Sequence, residues 1–259
     1  MREITSKENR IFRHALSLKK KKYRDQFGEY LIEGPNLLKE ALKEGVWVET
    51  VFIRPMITPE EEELISCDEI REKVFCLSDN LLEALKDTET SQGIISVVKK
   101  PEFRDIPSDS RGNVLVLDRL QDPGNIGTLL RTADAAGYEM AVFVKGTGDP
   151  YGAKVVRSAA GSLFRMPIYF AENSHELIEF LHRRGKRIIA TAMSADKAYY
   201  ETDLKERAAV IIGNEGNGID PYLISRADEK IRIPMEGNTE SLNAAVAGGI
   251  LMYERIRRR

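Results

Sequence analysis

Five short apolar runs constrain the fold of this chain most. Residues 114–117, 140–144, 167–170, 187–191 and 208–212 are dominated by Val, Ile, Ala, Leu and Phe with little polar alternation. Runs of that kind read as strands covered on both faces. Helical stretches lie between several of them. One spans 126–136 and stops at Gly137, one spans 153–163, and one opens at Asn173 with a capping-box pattern (Asn173 to Glu176) and stops at Gly185. Strand, loop and helix in repetition predict a mostly parallel sheet with helices on both faces.

The first hundred residues predict a smaller α/β unit. A helix is expected over 5–25, basic on one side, with Ile11, Leu16, Leu18 and Tyr23 as apolar contacts. A strand follows at 30–32. Glu33-Gly34-Pro35 then turns the chain, and Pro35 suits a first helical position. The helix after it stops at Gly45. Strands are expected at 47–53, 73–77 and 94–98, with helices after Thr58-Pro59 and after Ser78. Residues 99–113 are polar, hold two prolines and lack periodicity, as a linker does. They divide the chain into domains 1–105 and 106–259.

Bulk properties narrow the function. No apolar run reaches the ~18–20 residues that span a bilayer. The N-terminus lacks the apolar core of a signal peptide. Cys67 and Cys76 form no framework, and three scattered histidines give no zinc spacing. No metal, no membrane and a cytoplasmic location are the expectations. The net charge of −2 argues mildly against a nucleic-acid partner, but the charge is unevenly spread. Lys19, Lys20, Lys21 and Lys22 cluster near the start; Arg255, Arg257, Arg258 and Arg259 crowd the end. Such clusters suit phosphate contacts or, more plainly, a solvated tail and a helix C-terminus that complements its dipole.

Two loops invite chemistry. Gly213-Asn-Glu-Gly216-Asn-Gly218 follows a buried strand, where glycines permit close backbone approach to a ligand. Its spacing is not GxGxxG, and no Walker lysine follows any glycine loop, so a dinucleotide or P-loop nucleotide site is disfavoured. Residues 231–254 combine a short strand stopped by Pro234, a polar loop, and a helix expected from Ser241 with a face of Ala and Gly. Strand ends leading into helix N-termini are where small ligands bind in α/β proteins. Arg131, on the helix after Gly124-Asn125-Ile126-Gly127, carries a permanent charge and a fork suited to phosphate; pairing with Asp134 is the plainer reading.

Three segments resemble the signatures of the SpoU family of RNA 2′-O-ribose methyltransferases, within the SPOUT class. They are 118–137 (DRLQDPGNIGTLLRTADAAG), 212–220 (IGNEGNGID) and 231–254, in the family's order. The resemblance implies a C-terminal SPOUT domain with a parallel sheet and a C-terminal trefoil knot, which periodicity alone would never suggest. It implies a small N-terminal α/β substrate-binding domain that recognises RNA, and a homodimer. It implies S-adenosylmethionine as methyl donor, held largely by backbone groups. Gly213, Ile233 and Leu242 are the first donor contacts by this resemblance, with Asn214, Gly216 and Met235 in the same two segments, and Thr191, Ala192 and Met193 at a further strand end. Arg131 corresponds to the catalytic arginine and Asn125 to its companion, while Glu215, Ser241 and Asn243 line the active site.

The reaction so implied is a direct displacement, in which a ribose 2′-hydroxyl attacks the sulfonium methyl. Arginine is a poor base, with a pKa above ~12, so holding phosphate or stabilising a developing alkoxide is the easier role. Large-subunit rRNA is the preferred substrate, with tRNA as the alternative. A non-catalytic RNA-binding or ribosome-assembly protein on the same fold is the other class, and the intact signature residues argue against it.

Overall fold

A computed structural model describes residues 2–87, 92–102 and 105–257. Arg258 and Arg259 of the basic C-terminus, and Phe103 and Arg104 of the linker, lie outside the described residues. The chain forms two compact units: Met1–Pro101 with Tyr151–Phe164, and Glu102–Pro150 with Arg165–Arg259.

The first unit runs β1 (Arg2–Ile4), α1 (Arg10–Ser17), α2 (Lys21–Phe27), β2 (Glu29–Glu33), α3 (Pro35–Lys43), β3 (Val48–Ile53), α4 (Pro59–Ile65), β4 (Val74–Leu77), α5 (Asp79–Leu85) and β5 (Ile94–Lys99). The sheet order is β1-β4-β3-β5-β2. β1, β4 and β3 are parallel, and β5 is antiparallel to β3 and β2. Phe12, Ala15 and Leu18 pack with Leu81 and Leu85 on Phe52, Phe75 and Leu77 of the sheet. The helix expected over 5–25 is two helices. Arg24, buried among its neighbours, donates from Nη1 to the carbonyls of Leu18 (2.7 Å) and Lys19 (2.9 Å), satisfying acceptors that α1 leaves free at its end. The basic cluster is correspondingly divided. Lys19 Nζ caps the end of α5 through the carbonyls of Ala84 (3.0 Å) and Lys86 (2.7 Å), and Lys21 pairs with Asp25. Gly34 introduces α3 at φ +104°, and a Cβ there would fall 2.1 Å from Gln92 Oε1.

The second unit holds β6 (Val114–Asp118), α6 (Pro123–Ala135) and β7 (Met140–Val144). The next helix, α7 (Ala153–Ala159), groups with the first unit. The second continues with β8 (Ile168–Ala171), α8 (Ser174–Arg183), β9 (Arg187–Thr191), β10 (Lys197–Ala198), β11 (Ala208–Gly213), α9 (Pro221–Arg226), β12 (Glu229–Arg232) and α10 (Ala244–Arg257). Seven strands lie in the order β10-β12-β9-β11-β6-β7-β8, and every neighbouring pair is parallel. That is the sheet the apolar runs predict. Leu177, Leu181 and Leu223 of α8 and α9 cover one face over Val116, Val142 and Ile211. α6 and α10 cover the other, where Leu129, Ile212, Leu251 and Met252 are buried.

Several boundaries differ from expectation. α6 begins at Pro123, because Asp122 caps it by accepting from the Asn125 N–H at 2.8 Å, so Asn125 is helical. α10 begins after Asn243, whose Oδ1 accepts from the N–H groups of Ala245 (2.9 Å) and Val246 (3.3 Å). Ser241 therefore lies outside the helix. β1, β10 and α9 are too short to leave a periodic signal. Half of the linker is tied down: the buried Lys186 donates to the carbonyls of Ser110 and Gly112, both at 2.9 Å. The small residues of α10 also divide. A Cβ on Gly248 would lie 2.2 Å from Leu129 Cδ2, so that face packs on α6 and β11 of its own unit. At Gly249 the nearest atom is Thr132 Cγ2 at 3.9 Å. Arg255 donates to the carbonyls of Ala136 (2.8 Å) and Lys205 (2.9 Å), and Arg257 pairs with the buried Glu254 at 2.8 Å. Those arginines serve the fold.

Candidate active site

The carboxyl ends of β12, β9, β11 and β6 stand side by side. Ile231 is registered with Thr191, and Gly213 with Asp118. The strand order reverses here: the chain leaves β6 outward through β7 and β8, then returns to β9 on the far side of β11. A reversal of that kind opens a crevice beyond the strand ends, the usual ligand position in such sheets.

Asp118 is fully buried at the end of β6. It accepts from Arg119 Nε (2.9 Å) and Nη2 (3.1 Å), and from the backbone N–H of Asp220 (2.7 Å). Arg119 adopts φ +57°, held by its own N–H on Thr147 Oγ1 at 2.9 Å. Its carbonyl accepts from Asn214 Nδ2 at 2.9 Å. Asp118, Arg119 and Asp220 thus lock the loop after β6 and the glycine loop together. Sequence reasoning misses this role; the available signal is an acidic residue closing an apolar strand.

Asn214 folds the glycine loop on itself. Its Oδ1 accepts from the N–H groups of Gly216 and Asn217, both at 3.0 Å, and its backbone pairs with Gly218. Gly213 is required by this fold rather than by open space for a ligand. A Cβ there would sit 2.4 Å from the Gly218 carbonyl carbon and 2.5 Å from the Ile219 nitrogen. Gly216, by contrast, is exposed, with nothing nearer than 3.7 Å.

A chain of hydrogen bonds then crosses all three sequence signatures. Glu215 Oε1 accepts from Asn125 Nδ2 (3.1 Å) and the Asp122 N–H (3.2 Å), and Oε2 from the Gln121 N–H (3.3 Å). Asn125 Oδ1 in turn accepts from Asn243 Nδ2 at 2.9 Å. Asn243 caps α10, so α10, α6 and the glycine loop are coupled through three polar side chains. Burial pushes the Glu215 carboxyl up, but donors outweigh it, led by its own backbone N–H and by Asn125, and it ends below its ordinary range. It is a carboxylate fully engaged in holding Asn125.

The remaining predicted residues are placed less tightly. Thr191 Oγ1 donates to the Ile211 carbonyl (3.2 Å), and the Ala192 N–H to the Ile231 carbonyl (2.9 Å). Met193 is exposed beyond β9. Ile233 and Leu242 are half-buried, while Met235 and Ser241 are exposed. No backbone group from Pro234 to Leu242 finds a hydrogen-bond partner among the described residues. Arg131 lies six residues beyond Asn125, ~9 Å along α6 and on another face, outside the Asn125–Glu215–Asn243 chain. It is exposed, and no ion pair holds it among the described residues. Asp134, its expected partner, pairs instead with Arg165 at 2.8 Å.

Residues 112–253 match the SpoU rRNA Methylase family, and residues 9–96 match the MRM3-like substrate binding domain. The chain belongs to the SpoU rRNA methylase family. It is 36% identical to the Bacillus subtilis 23S rRNA (guanosine(2553)-2′-O)-methyltransferase RlmP over 98% of both chains. An AdoMet-bound rRNA methyltransferase from Sinorhizobium meliloti superposes with a TM-score of 0.88 at 30% identity, covering 99% of this chain and 98% of that one. The SpoU methyltransferase AviRb from Streptomyces viridochromogenes, in complex with AdoMet, gives 0.89 at 27% identity, over 97% and 98%. As a SpoU methylase the chain is an enzyme, and S-adenosylmethionine is its methyl donor, as the three signatures imply. Among the described residues no helix is long and apolar enough to cross a membrane, and no group of His, Cys, Asp and Glu could hold a metal.

Proposed function

We propose that the enzyme methylates a ribose 2′-hydroxyl of large-subunit rRNA. The observation that carries the reading is the Glu215–Asn125–Asn243 chain, which gathers all three signatures at the reversal point of a parallel sheet. rRNA is preferred to tRNA because relatives matched over nearly their whole length, such as RlmP, are named for 23S rRNA.

The surroundings suit the donor. S-adenosylmethionine supplies an electrophilic methyl on a sulfonium, and its polar groups call for backbone partners. Pro234 to Leu242 offers such groups, with Ile233 beside them; Thr191–Met193 and Gly213, Asn214 and Gly216 border the donor from the neighbouring strand ends. Met235 and Leu242 give apolar cover. Asn125 and Asn243 each keep an amide hydrogen for the acceptor ribose, and Ser241 adds a hydroxyl. Glu215 acts through Asn125 as a positioning residue, since its oxygens are occupied by donors. Arg131 holds the acceptor phosphate or the developing alkoxide, which its permanent charge and unpaired state permit.

Residues 1–105 recognise RNA and 106–259 carry the chemistry, with the C-terminal knot the family implies. The enzyme works as a homodimer in the cytoplasm. The exposed stripe Val246 and Tyr253 on α10, rather than the buried Ala245 and Gly248, supplies the contact. Protein-free 23S rRNA and tRNA, each incubated with methyl-labelled S-adenosylmethionine and then digested with alkali, test the reading. Label should appear in 23S rRNA within an alkali-resistant dinucleotide, the mark of a blocked 2′-hydroxyl. Label confined to tRNA, or released in mononucleotides, overturns it.

A further inference from the structure

We propose that Trp47 is a stacking platform for an unpaired nucleotide of the RNA substrate. The proposal rests on the reading of residues 1–105 as an RNA-binding domain and specifies where and how that domain binds.

Trp47 is the sole tryptophan of the chain, and 59% of its surface is exposed. It sits immediately before β3, at one end of the first sheet. An exposed indole on a loose side chain would carry little meaning. This one is fixed at two points. Its Nε1 donates to Glu49 Oε2 at 2.9 Å, and Lys73 Nζ lies 3.9 Å from the ring centroid. Lys73 is itself anchored, donating to the Val48 carbonyl at 2.7 Å. One ring face is therefore covered by a cation, while the exposure leaves a flat surface open. Fixing an aromatic surface in advance removes the ordering cost that a free side chain would bring to binding.

The neighbours decide the class of ligand. Strand order puts the start of β4, the start of β3, the end of β5 and the start of β2 next to one another. Lys73, Trp47, Lys99 and Glu29 therefore form a row. The Lys99 N–H bonds the Trp47 carbonyl at 3.0 Å, and Lys99 is registered with Glu29. At ~4.8 Å per strand, Trp47 and Glu29 are roughly 10 Å apart. Beyond Glu29 the row continues into His14 and the part-exposed Phe27, whose rings meet edge to face at 4.7 Å. Lys73 forms no ion pair among the described residues, which leaves its charge for a phosphate. Lys99 is held by the buried Glu29 at 2.6 Å, so Lys73 beside the indole is the cation the row offers. A ring for a base and a cation for the backbone are what a single-stranded nucleic acid uses. Duplex RNA keeps its bases stacked inside and offers no face to an indole.

The single tryptophan makes the test direct. The full-length protein is titrated with single-stranded oligoadenylate and, separately, with an oligoadenylate–oligouridylate duplex. Tryptophan emission and fluorescence anisotropy of end-labelled RNA are followed together. Saturable quenching by the single strand, and none by the duplex, is expected. Trp47→Ala should weaken single-strand binding roughly tenfold, the loss of one stacked base, and Trp47→Phe should restore most of it. S-adenosylmethionine affinity should stay constant in both variants, showing that the fold is intact. Binding by anisotropy with unchanged emission, or an unaffected Trp47→Ala, overturns the platform while sparing RNA recognition. Absence of any RNA binding overturns both. Quenching by ribosomal proteins but not by RNA makes the surface a protein contact and overturns the proposal.

Discussion

Asn243 Nδ2 donates to Asn125 Oδ1 across 2.9 Å, joining residues 118 positions apart. The same Asn243 caps α10 through its Oδ1. One side chain thus orders a helix and orients a neighbour in the candidate active site, and the two duties can be separated. Asn243→Ala removes both, so it should destabilise the protein by about 0.5–2 kcal/mol and reduce turnover. Asn243→Ser keeps a competent cap but loses the amide that reaches Asn125. It should melt near the wild type while kcat remains depressed. Equal turnover by Asn243→Ser and wild type would show that the bond to Asn125 is only structural.

The parallel sheet is legible in the sequence, because buried parallel strands leave continuous apolar runs that need no partner to be seen; its strand order, and so its reversal point, is not. Residues 114–117 and 208–212 read correctly as strands for that reason. The coupling among Asn125, Glu215 and Asn243 was not legible. Each sits in a polar loop or at a helix edge, and the contacts span 90 and 118 positions, beyond any local pattern. Helix boundaries suffered from side-chain effects: Arg24 reaching back to Leu18 splits a region whose apolar spacing looks continuous. The grouping of Tyr151–Phe164 with the first unit was equally hidden, since its own sequence reads as an ordinary crossover helix.

Gly248 and Gly249 are adjacent on α10 but should respond oppositely to alanine. At Gly248 the new Cβ meets a Leu129 methyl at 2.2 Å, so Gly248→Ala should cost about 1–3 kcal/mol, toward the low end if that methyl rotates away. At Gly249 the space is open to 3.9 Å, and Gly249→Ala should stabilise by about 0.5–1 kcal/mol through helix propensity. Chemical denaturation of both variants checks the contrast. A stabilised Gly248→Ala would mean that α10 packs less closely on α6 than described.

The exposed stripe of the same helix makes a separate claim. Tyr253→Glu places a charge on it without touching the buried face. Sedimentation or light scattering should show a dimeric wild type and a monomeric or weakened variant with unchanged secondary structure. A wild-type monomer that is fully active would refute self-association as part of the function.

Glu215 predicts an acid limit. Its carboxyl is depressed in the folded state, so the stabilisation it brings is complete above the ordinary carboxylate value, ~4.3. It is lost as pH falls through the lower folded value. Glu215→Gln has no such charge. The melting temperatures of the two proteins should therefore differ by a constant amount above about pH 5 and converge on further acidification. A gap that widens in acid would carry the wrong sign for a carboxylate held by N–H donors.

Arg131 offers the sharpest test of the chemistry. It is exposed, it belongs to no ion pair among the described residues, and Asp134 is already taken by Arg165. Removing it should therefore cost almost no stability, well under ~1 kcal/mol. In the proposed mechanism this side chain, which the fold does not use, serves the substrate. Arg131→Ala should lower kcat by ~10²-fold or more, the usual consequence of deleting one charge-stabilising donor, with S-adenosylmethionine affinity unchanged. Arg131→Lys keeps the charge but loses the planar fork, and should recover little if two oxygens are held at once. Single-turnover methylation of 23S rRNA by the three proteins, beside their melting curves, separates the roles. Near-normal turnover by Arg131→Ala would remove the arginine from the mechanism and leave Asn125, Ser241 and Asn243 as the groups that meet the ribose.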